Sequence, residues 1–376
     1  MPSVRRLTRM IDPYIVLLLA TVGLAALLPA SGRAADTVDG AATGFIGMLF
    51  FLYGARLSTR EALDGIRHWR LHLTILASTF AVFPLFGLAA VGLTPWLLTD
   101  DLYDGLLFLC LVPSTVQSSI AFTSMARGNV AGAIAAGSFS SVLGVLLTPL
   151  FAAALIGSGG GFSAGTLLAI GGQLLLPFLL GQLLRRWIGD FVKRHRGALS
   201  LIDRGSILVV VYAAFSEGVN AGVWNEVSWR RLLALFGVEA ALLAAMLLLT
   251  ALAARRLRFR REDRVVVVLA GSQKSLAAGL PMASVIFQGQ AALAVLPLMI
   301  FHQTQLIVCA YLSRRWSRDP EAAGDGDGQA GDGHAERETV NGDGDGGIDG
   351  RAGGGARGRG DQAPAGAGRA IRSAPA

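Results

Sequence analysis

Apolar runs of about twenty residues recur along the chain from residue 13 to residue 312, and this recurrence limits the fold more than any other feature. A helix of that length rises 1.5 Å per residue and crosses a hydrocarbon core of roughly 30 Å. Ten runs can be drawn, at 13–30, 41–57, 71–94, 105–126, 129–157, 162–184, 201–222, 231–254, 265–288 and 291–313. Composition agrees, since apolar types make up 53% of the 376 residues and charged types only 16%. Soluble domains carry about 25% charged residues. The alternating ten-residue segments of a membrane β-barrel do not occur. The sequence predicts an all-α, polytopic membrane protein.

The sequence pI of about 10.1 suggests a nucleic-acid partner only until the charges are located. Basic residues lie in short clusters between the runs, which excludes a nucleic-acid surface and makes lipid the natural partner. Arg5, Arg6 and Arg9 precede the first run, and Arg56, Arg60, Arg67 and Arg70 follow the second. Arg127 follows the fourth, and Arg185, Arg186, Lys193, Arg194, Arg196 and Arg204 follow the sixth. Six arginines from Arg255 to Arg264 follow the eighth, and Arg314, Arg315 and Arg318 follow the tenth. The only basic residues of the intervening side are Arg33, Arg230 and Arg231, and one of its loops holds Asp100, Asp101 and Asp104. The positive-inside rule then puts both termini in the cytoplasm of a cell (inner) membrane protein with ten spans. The first run also resembles a secretory signal; the reading here is a retained helix, because cleavage leaves nine spans and spoils two five-helix halves.

Residues 1–12 read as a cytoplasmic N-terminus, residues 13–313 as the membrane domain and residues 319–376 as a disordered cytoplasmic tail. The tail is rich in Gly, Asp and Arg and cannot bury enough apolar surface to offset its ordering entropy. Its Asp-Gly repeats lack the closing Glu of a calcium loop. Cys110 and Cys309 both lie in apolar runs, where they read as small buried side chains.

Polar residues within the runs are concentrated in two islands. The fourth span has Pro113, Ser114, Thr115, Gln117, Ser118, Ser119 and Thr123; the ninth has Gly271, Ser272, Gln273, Lys274, Ser275, Gly279 and Pro281. The islands occupy matching places in the two five-span halves. Paired helix interruptions at such places mark the binding site of a secondary transporter, because a broken helix in hydrocarbon is tolerated only where it lines a cavity or meets a ligand. Each hydroxyl alone can instead bond back to its own helix. Lys274 is harder to place innocently, since a mid-span lysine costs about 2.5–3.5 kcal/mol on insertion scales. Two readings stand for it: an ion pair with Glu239 of the eighth span, or a role in ion coupling or substrate binding. The stretch "GSQKS" lacks the framing glycines of a phosphate loop. No nucleophile–base set or metal-ligand cluster stands out, so an enzyme is not expected.

The stretches "RGNVAGAIAAGSFSSVLGVLLTP", "GSQKSLAAGLPMA" and "FHQTQLIV" resemble the bile acid:sodium symporter family, in its symporter-like subgroup of unassigned substrate. The resemblance covers about residues 10–315. It implies two inverted five-helix repeats with discontinuous helices four and nine crossing. It also implies a core of spans 3–5 and 8–10, a panel of spans 1, 2, 6 and 7, substrate between them and sodium beside the crossing. Several sodium-ligand positions are altered. The acidic ligand of span nine falls at Leu269; Gln273 matches the motif's Gln, and the following Asn position holds Lys274. Ser118 and Ser119 stand at the Ser-Asn pair, Ala133 and Gly137 (beside Ser138) at two hydroxyl positions, and Thr79 at a Gln position.

These departures make sodium a doubtful partner and suggest that the Lys274 ammonium supplies the charge that sodium supplies elsewhere, with transport proton-coupled or uncoupled. The predicted function is secondary active transport of a small organic anion by alternating access, sodium- or proton-coupled. The expected site comprises Lys274, Gln273, Ser272, Ser275, Ser114, Thr115, Gln117, Ser118, Ser119, Thr123, Ser138 and Thr79, with Glu239, His302 and Gln303 less central. Two other readings are a membrane regulator of ion homeostasis that scaffolds partners through its tail, and a channel. A topology reporter fused after Leu312 is expected to read cytoplasmic, and one inserted in the 95–104 loop to read the opposite side. A periplasmic signal after Leu312 would overturn the ten-span count.

Overall fold

The computed structural model describes residues 13–56, 68–156, 164–222, 228–287 and 291–318. The chain divides into two units, 1–326 and 327–376, and every described residue belongs to the first. The N-terminal residues 1–12 and the tail read above as disordered, 319–376, lie outside the described residues.

The described residues are helical, with no strand among them. In chain order the helices are α1 (Pro13–Leu27), α2 (Arg33–Arg56), α3 (Trp69–Leu93), α4a (Asp100–Leu111) and α4b (Gln117–Met125). There follow α5 (Val130–Leu155), α6 (Ala164–Arg194), α7 (Arg196–Asn220) and α8 (Trp229–Arg256). The last are α9a (Arg261–Ser272), α9b (Leu276–Ile286) and α10 (Ala291–Trp316). Taken with α9a and α9b as one passage, seven of these are long and apolar enough to cross a membrane. The protein is a polytopic membrane protein.

Helix ends depart from the apolar boundaries. Helix α1 has 15 residues, about 22 Å, and stops at Leu27 rather than residue 30. Helix α2 starts at Arg33 and carries Asp36 and Asp39 in its first turns, eight residues before the expected span. Helix α6 continues to Arg194 through Arg185, Arg186 and Lys193. Charge marks where hydrocarbon ends; it does not stop a helix whose backbone can keep bonding in water, and Arg and Lys are good helix formers.

Helices α2 and α6 pack most extensively, and α7 also packs against α2. Two glycines permit the closest approach. A Cβ on Gly54 would lie 2.0 Å from the Phe178 carbonyl oxygen, and one on Gly181 would lie 2.0 Å from that of Phe51. Small residues at such crossings let helix backbones touch where the hydrophobic effect gives no drive between helices. An ion pair between Arg56 and Asp203 ties α2 to α7.

The turn into α5 explains the "RGN" stretch. Arg127 takes a left-handed φ of 54°, and Gly128 leaves no room for a Cβ, which would meet Val265 at 2.7 Å. Asn129 caps α5 by accepting from Gly132 N–H at 2.8 Å, and its Nδ2 donates to Asp263 at 2.8 Å. The turn thus fixes α5 against the start of α9a.

Gly54→Ala is expected to lower the melting temperature of the purified protein, with about 1–3 kcal/mol lost to overpacking. Gly47→Ala, on the same helix with nothing within 4 Å of its Cβ position, should leave it unchanged. Equal effects from the two would refute the close-crossing account.

Candidate functional site

Both polar islands are breaks in the helices. Val112 is extended (φ −71°, ψ 154°), as a residue before proline tends to be, and Pro113 supplies no N–H to continue α4a. Helix resumes at Gln117. The second break has no proline. Gln273 (ψ 150°) and Ser275 (ψ 109°) are extended, and Ser275 caps α9b by accepting from Ala278 N–H at 3.2 Å. The breaks touch: Ser275 N–H donates to the Pro113 carbonyl at 2.8 Å, and the Ser114 hydroxyl donates to the Ala270 carbonyl at 2.6 Å.

Lys274 lies at this junction with no solvent exposure. Its ammonium has three N–H donors, and three backbone carbonyls receive them: Thr79 at 3.0 Å, Cys110 at 2.8 Å and Val112 at 2.8 Å. The Phe83 ring covers it, 4.1 Å from nitrogen to centroid, a cation–π contact. Each carbonyl is free for a local reason. In α3 the stretch Ser78–Val82 is a π turn, so Phe83 N–H reaches back to Ser78. The next donor in that register is Pro84, which has no N–H, leaving Thr79 without a backbone partner. The natural donor to Cys110 is Ser114 N–H, which is drawn to the Ser140 hydroxyl at 2.9 Å instead. Val112 lies within the break. The ammonium also closes the C-terminal end of α4a, where a helix dipole favours a cation.

The backbone at Lys274 needs partners of its own, and Gln305 of α10 supplies them. Its Oε1 accepts from Lys274 N–H at 2.8 Å, and its Nε2 donates to the Lys274 carbonyl at 2.7 Å. The second Nε2 proton is directed at His302 Nδ1, 2.8 Å away, which suits an imidazole with its own proton on Nε2. The fully buried side chain of Gln273 accepts from Ser118 at 3.0 Å and Ser119 at 3.1 Å, and Ser118 also lies 3.1 Å from the Thr115 hydroxyl. The Leu111 carbonyl is met by Thr148 of α5 at 2.9 Å. Pro113 packs where Gly144 has no Cβ, a Cβ there being 2.6 Å from the proline ring.

The junction therefore gathers Lys274, Gln273, Ser275, Ser114, Thr115, Ser118, Ser119, His302 and, through its carbonyl, Thr79. It omits others that the sequence pointed to. Ser272 and Ser138 donate to their own helices, to Val268 at 2.7 Å and Ile134 at 2.8 Å; Gln117 is exposed. Thr123 is buried toward α9a with its hydroxyl unpartnered. The Lys274–Glu239 ion pair is not formed: all three ammonium donors go to carbonyls, and both Glu239 oxygens lack a hydrogen-bond partner. Gln303 makes none of the junction's hydrogen bonds, and the amide that does is Gln305. Ser140 and Thr148 were also missed. Their signal was the small-residue stripe of α5, with Ala133, Gly137, Ser140, Gly144 and Thr148 at helical spacing and all buried.

The residues do not fit sodium as the resemblance implied. At the acidic ligand's place, Leu269 packs with Ala126, Val265 and Cys309. Ala133 belongs to an apolar cluster with Leu71, Ile75 and Val266, Gly137 lies against Val116, and an ammonium already takes the junction's free carbonyls. Among the described residues no group of three or more His, Cys, Asp or Glu side chains could hold a metal ion.

Comparison with known proteins gives a consistent picture. The profile of the SBF-like CPA transporter family matches residues 12–318. The uncharacterized protein PA2026 of Pseudomonas aeruginosa is 51% identical over 311 residues, covering 82% of this chain and 93% of that protein. YfeH of Escherichia coli strain K12, which bears a symporter's name, is 45% identical over 320 residues, 84% of this chain and 96% of its own. The sodium/bile acid cotransporter 7 of Rattus norvegicus is 29% identical over 280 residues, 71% of this chain and 80% of its own.

Lys274→Met keeps the stem and removes the ammonium, leaving three buried carbonyls without donors at about 1–3 kcal/mol each. Its melting temperature is expected to fall clearly, and adding Glu239→Gln should not restore it, because the two groups are not partners. Recovery of wild-type stability in the double variant would reinstate the ion pair.

Proposed function

Since the chain belongs to the SBF-like CPA transporter family, the symporter-like side of the bile acid:sodium symporters, we propose that it is a secondary active transporter of a small organic anion. It is a membrane transporter and not an enzyme. The proposed frame is ten spans in two inverted five-helix repeats, both termini in the cytoplasm and the chain in the cell (inner) membrane. Helices α4 and α9 cross at their breaks. A core of spans 3–5 and 8–10 moves against a panel of spans 1, 2, 6 and 7, and the anion binds between them in alternating access.

The observation that carries this reading is the Lys274 ammonium held at the meeting of two broken helices. The N-terminal ends of α4b and α9b start at the same junction, and such ends favour anions. In the proposal Gln273, Ser114, Thr115, Ser118, Ser119 and Ser275 shape the polar surface beside that charge. Lys274 stands in for sodium, so the cycle needs no sodium. The rat relative's name speaks of sodium and bile acid for that protein. For this chain the bile acid is a reasonable first probe, and sodium is set aside because Leu269 and Lys274 replace the oxygen ligands.

The test is counterflow of taurocholate and of other organic anions by the full chain in proteoliposomes. Exchange is expected at the same rate with sodium or with potassium, and Lys274→Met should lower it at least about tenfold per folded protein, because the positive charge beside the anion is lost even though its donors belong to the carbonyls. An absolute sodium requirement, or no exchange of any anion tried, would refute the proposal.

A further inference from the structure

Glu239 is a buried carboxyl that the junction leaves unexplained. It lies in α8, ten residues after Trp229, so about 15 Å from that end of the helix. It has no solvent exposure, and neither carboxyl oxygen has a hydrogen-bond partner. On its own helix Leu235, Leu242, Leu243 and Met246 belong to the apolar core around it. Helix α8 packs against α9a and α10. The arginines and acids of those elements, Arg261, Glu262, Asp263, Arg264, Arg314 and Arg315, lie at the other end, beside Arg256. That end is about 25 Å along the helix from Glu239. The titratable groups nearer the middle are Lys274, His302, Cys309 and, from α4a, Cys110. None of them hydrogen-bonds the carboxyl, and α10, which packs on α8, also carries the Gln305 that holds the Lys274 peptide.

An ionised carboxylate without donors is far too unfavourable in such a place and takes a proton instead. A neutral carboxyl in the middle of a membrane helix adds nothing to packing that a leucine would not supply, so a functional reading is the default. Building on the transport reading above, we propose that Glu239 is the proton-carrying group of this transporter and that the anion moves together with a proton. In the arrangement described here the carboxyl holds its proton. When the junction opens, water reaches it, the O–H bond breaks, the electron pair stays on the carboxylate and the proton passes to water. The carboxylate then offsets the fixed charge of Lys274, which weakens the hold on the anion. Re-protonation leaves the ammonium uncompensated and restores it. Proton and anion binding thus favour each other, as linkage demands.

The first measurement needs no substrate. Infrared spectra of the full chain in lipid nanodiscs should show the carbonyl stretch of a protonated carboxyl at about pH 6 that fades toward about pH 10, with side-chain ionisation followed by the same titration. The band should be missing from Glu239→Gln, and in wild-type protein labelled with 13C-glutamate it should shift without any substitution. A band absent at the lower pH, or unchanged at the upper pH with the protein still folded, overturns the proposal. The second measurement is taurocholate binding, expected to weaken roughly tenfold across that range in wild type and to be flat in Glu239→Gln, a coupling of ordinary size. Equal pH dependence in the two proteins also overturns it. If taurocholate does not bind at all, that outcome counts against the transport reading, and the infrared titration alone decides the role of Glu239.

Discussion

Three backbone carbonyls around one ammonium are the interaction on which the middle of this protein depends. Each belongs to a different disturbance of regular helix: a π turn followed by proline in α3, the end of α4a, and the extended residue before Pro113. None of these disturbances would be tolerated in hydrocarbon alone. Together they form a cage whose lone pairs match the donors of Lys274. The lysine is equally dependent on the cage, since a buried ammonium without acceptors would lose its proton or unfold its surroundings. Charge and broken backbone are therefore stable only in each other's presence.

The rest of the junction follows from the same accounting of polar groups. Ser114 N–H is diverted to Ser140, Leu111 is met by Thr148, Ala270 by Ser114, and the peptide groups of Lys274 by Gln305. These partners come from α5, the α4 break and α10, so the crossing is a device that locks several helices together. A tethered cation has a consequence that a bound ion does not. Sodium can leave in each cycle and carry a gradient's energy with it, whereas Lys274 cannot leave. A transporter built on such a cation must draw its driving force from another group or from exchange.

The parts of this arrangement that were legible in the sequence are those that violate a local rule. Pro113 in an apolar run, and a lysine amid "GSQKS", each announce a break. The all-helical membrane class was legible from run length, because hydrocarbon thickness leaves little choice. What could not be read is pairing across the fold. Gln303 and Gln305 are two residues apart in one helix, so they project about 200° apart around its axis, and only one can face Lys274. The π turn was hidden because nothing in "STFAV" departs from ordinary helix composition; its cause lies in Pro84 and in the lysine's need for a carbonyl. Gln117 shows the same limit: an exposed glutamine at the first turn of α4b looks the same in sequence as one aimed inward.

Two carboxyls in the interior show how architecture and function can be separated by partnership alone. Asp203 of α7 is buried, and Arg56 of α2 meets it, so its charge is neutralised and two helices are joined. That is what a structural carboxyl looks like. Glu239 is buried more completely than Asp203, yet neither of its oxygens has a hydrogen-bond partner. A fold that supplies three carbonyls to one ammonium, and an amide to the peptide next to it, is not short of polar partners. Leaving one carboxyl without any keeps its proton state free to respond to its surroundings. The unpaired group is thus better suited to change than to hold, whereas Lys274, with every donor engaged, is suited to hold.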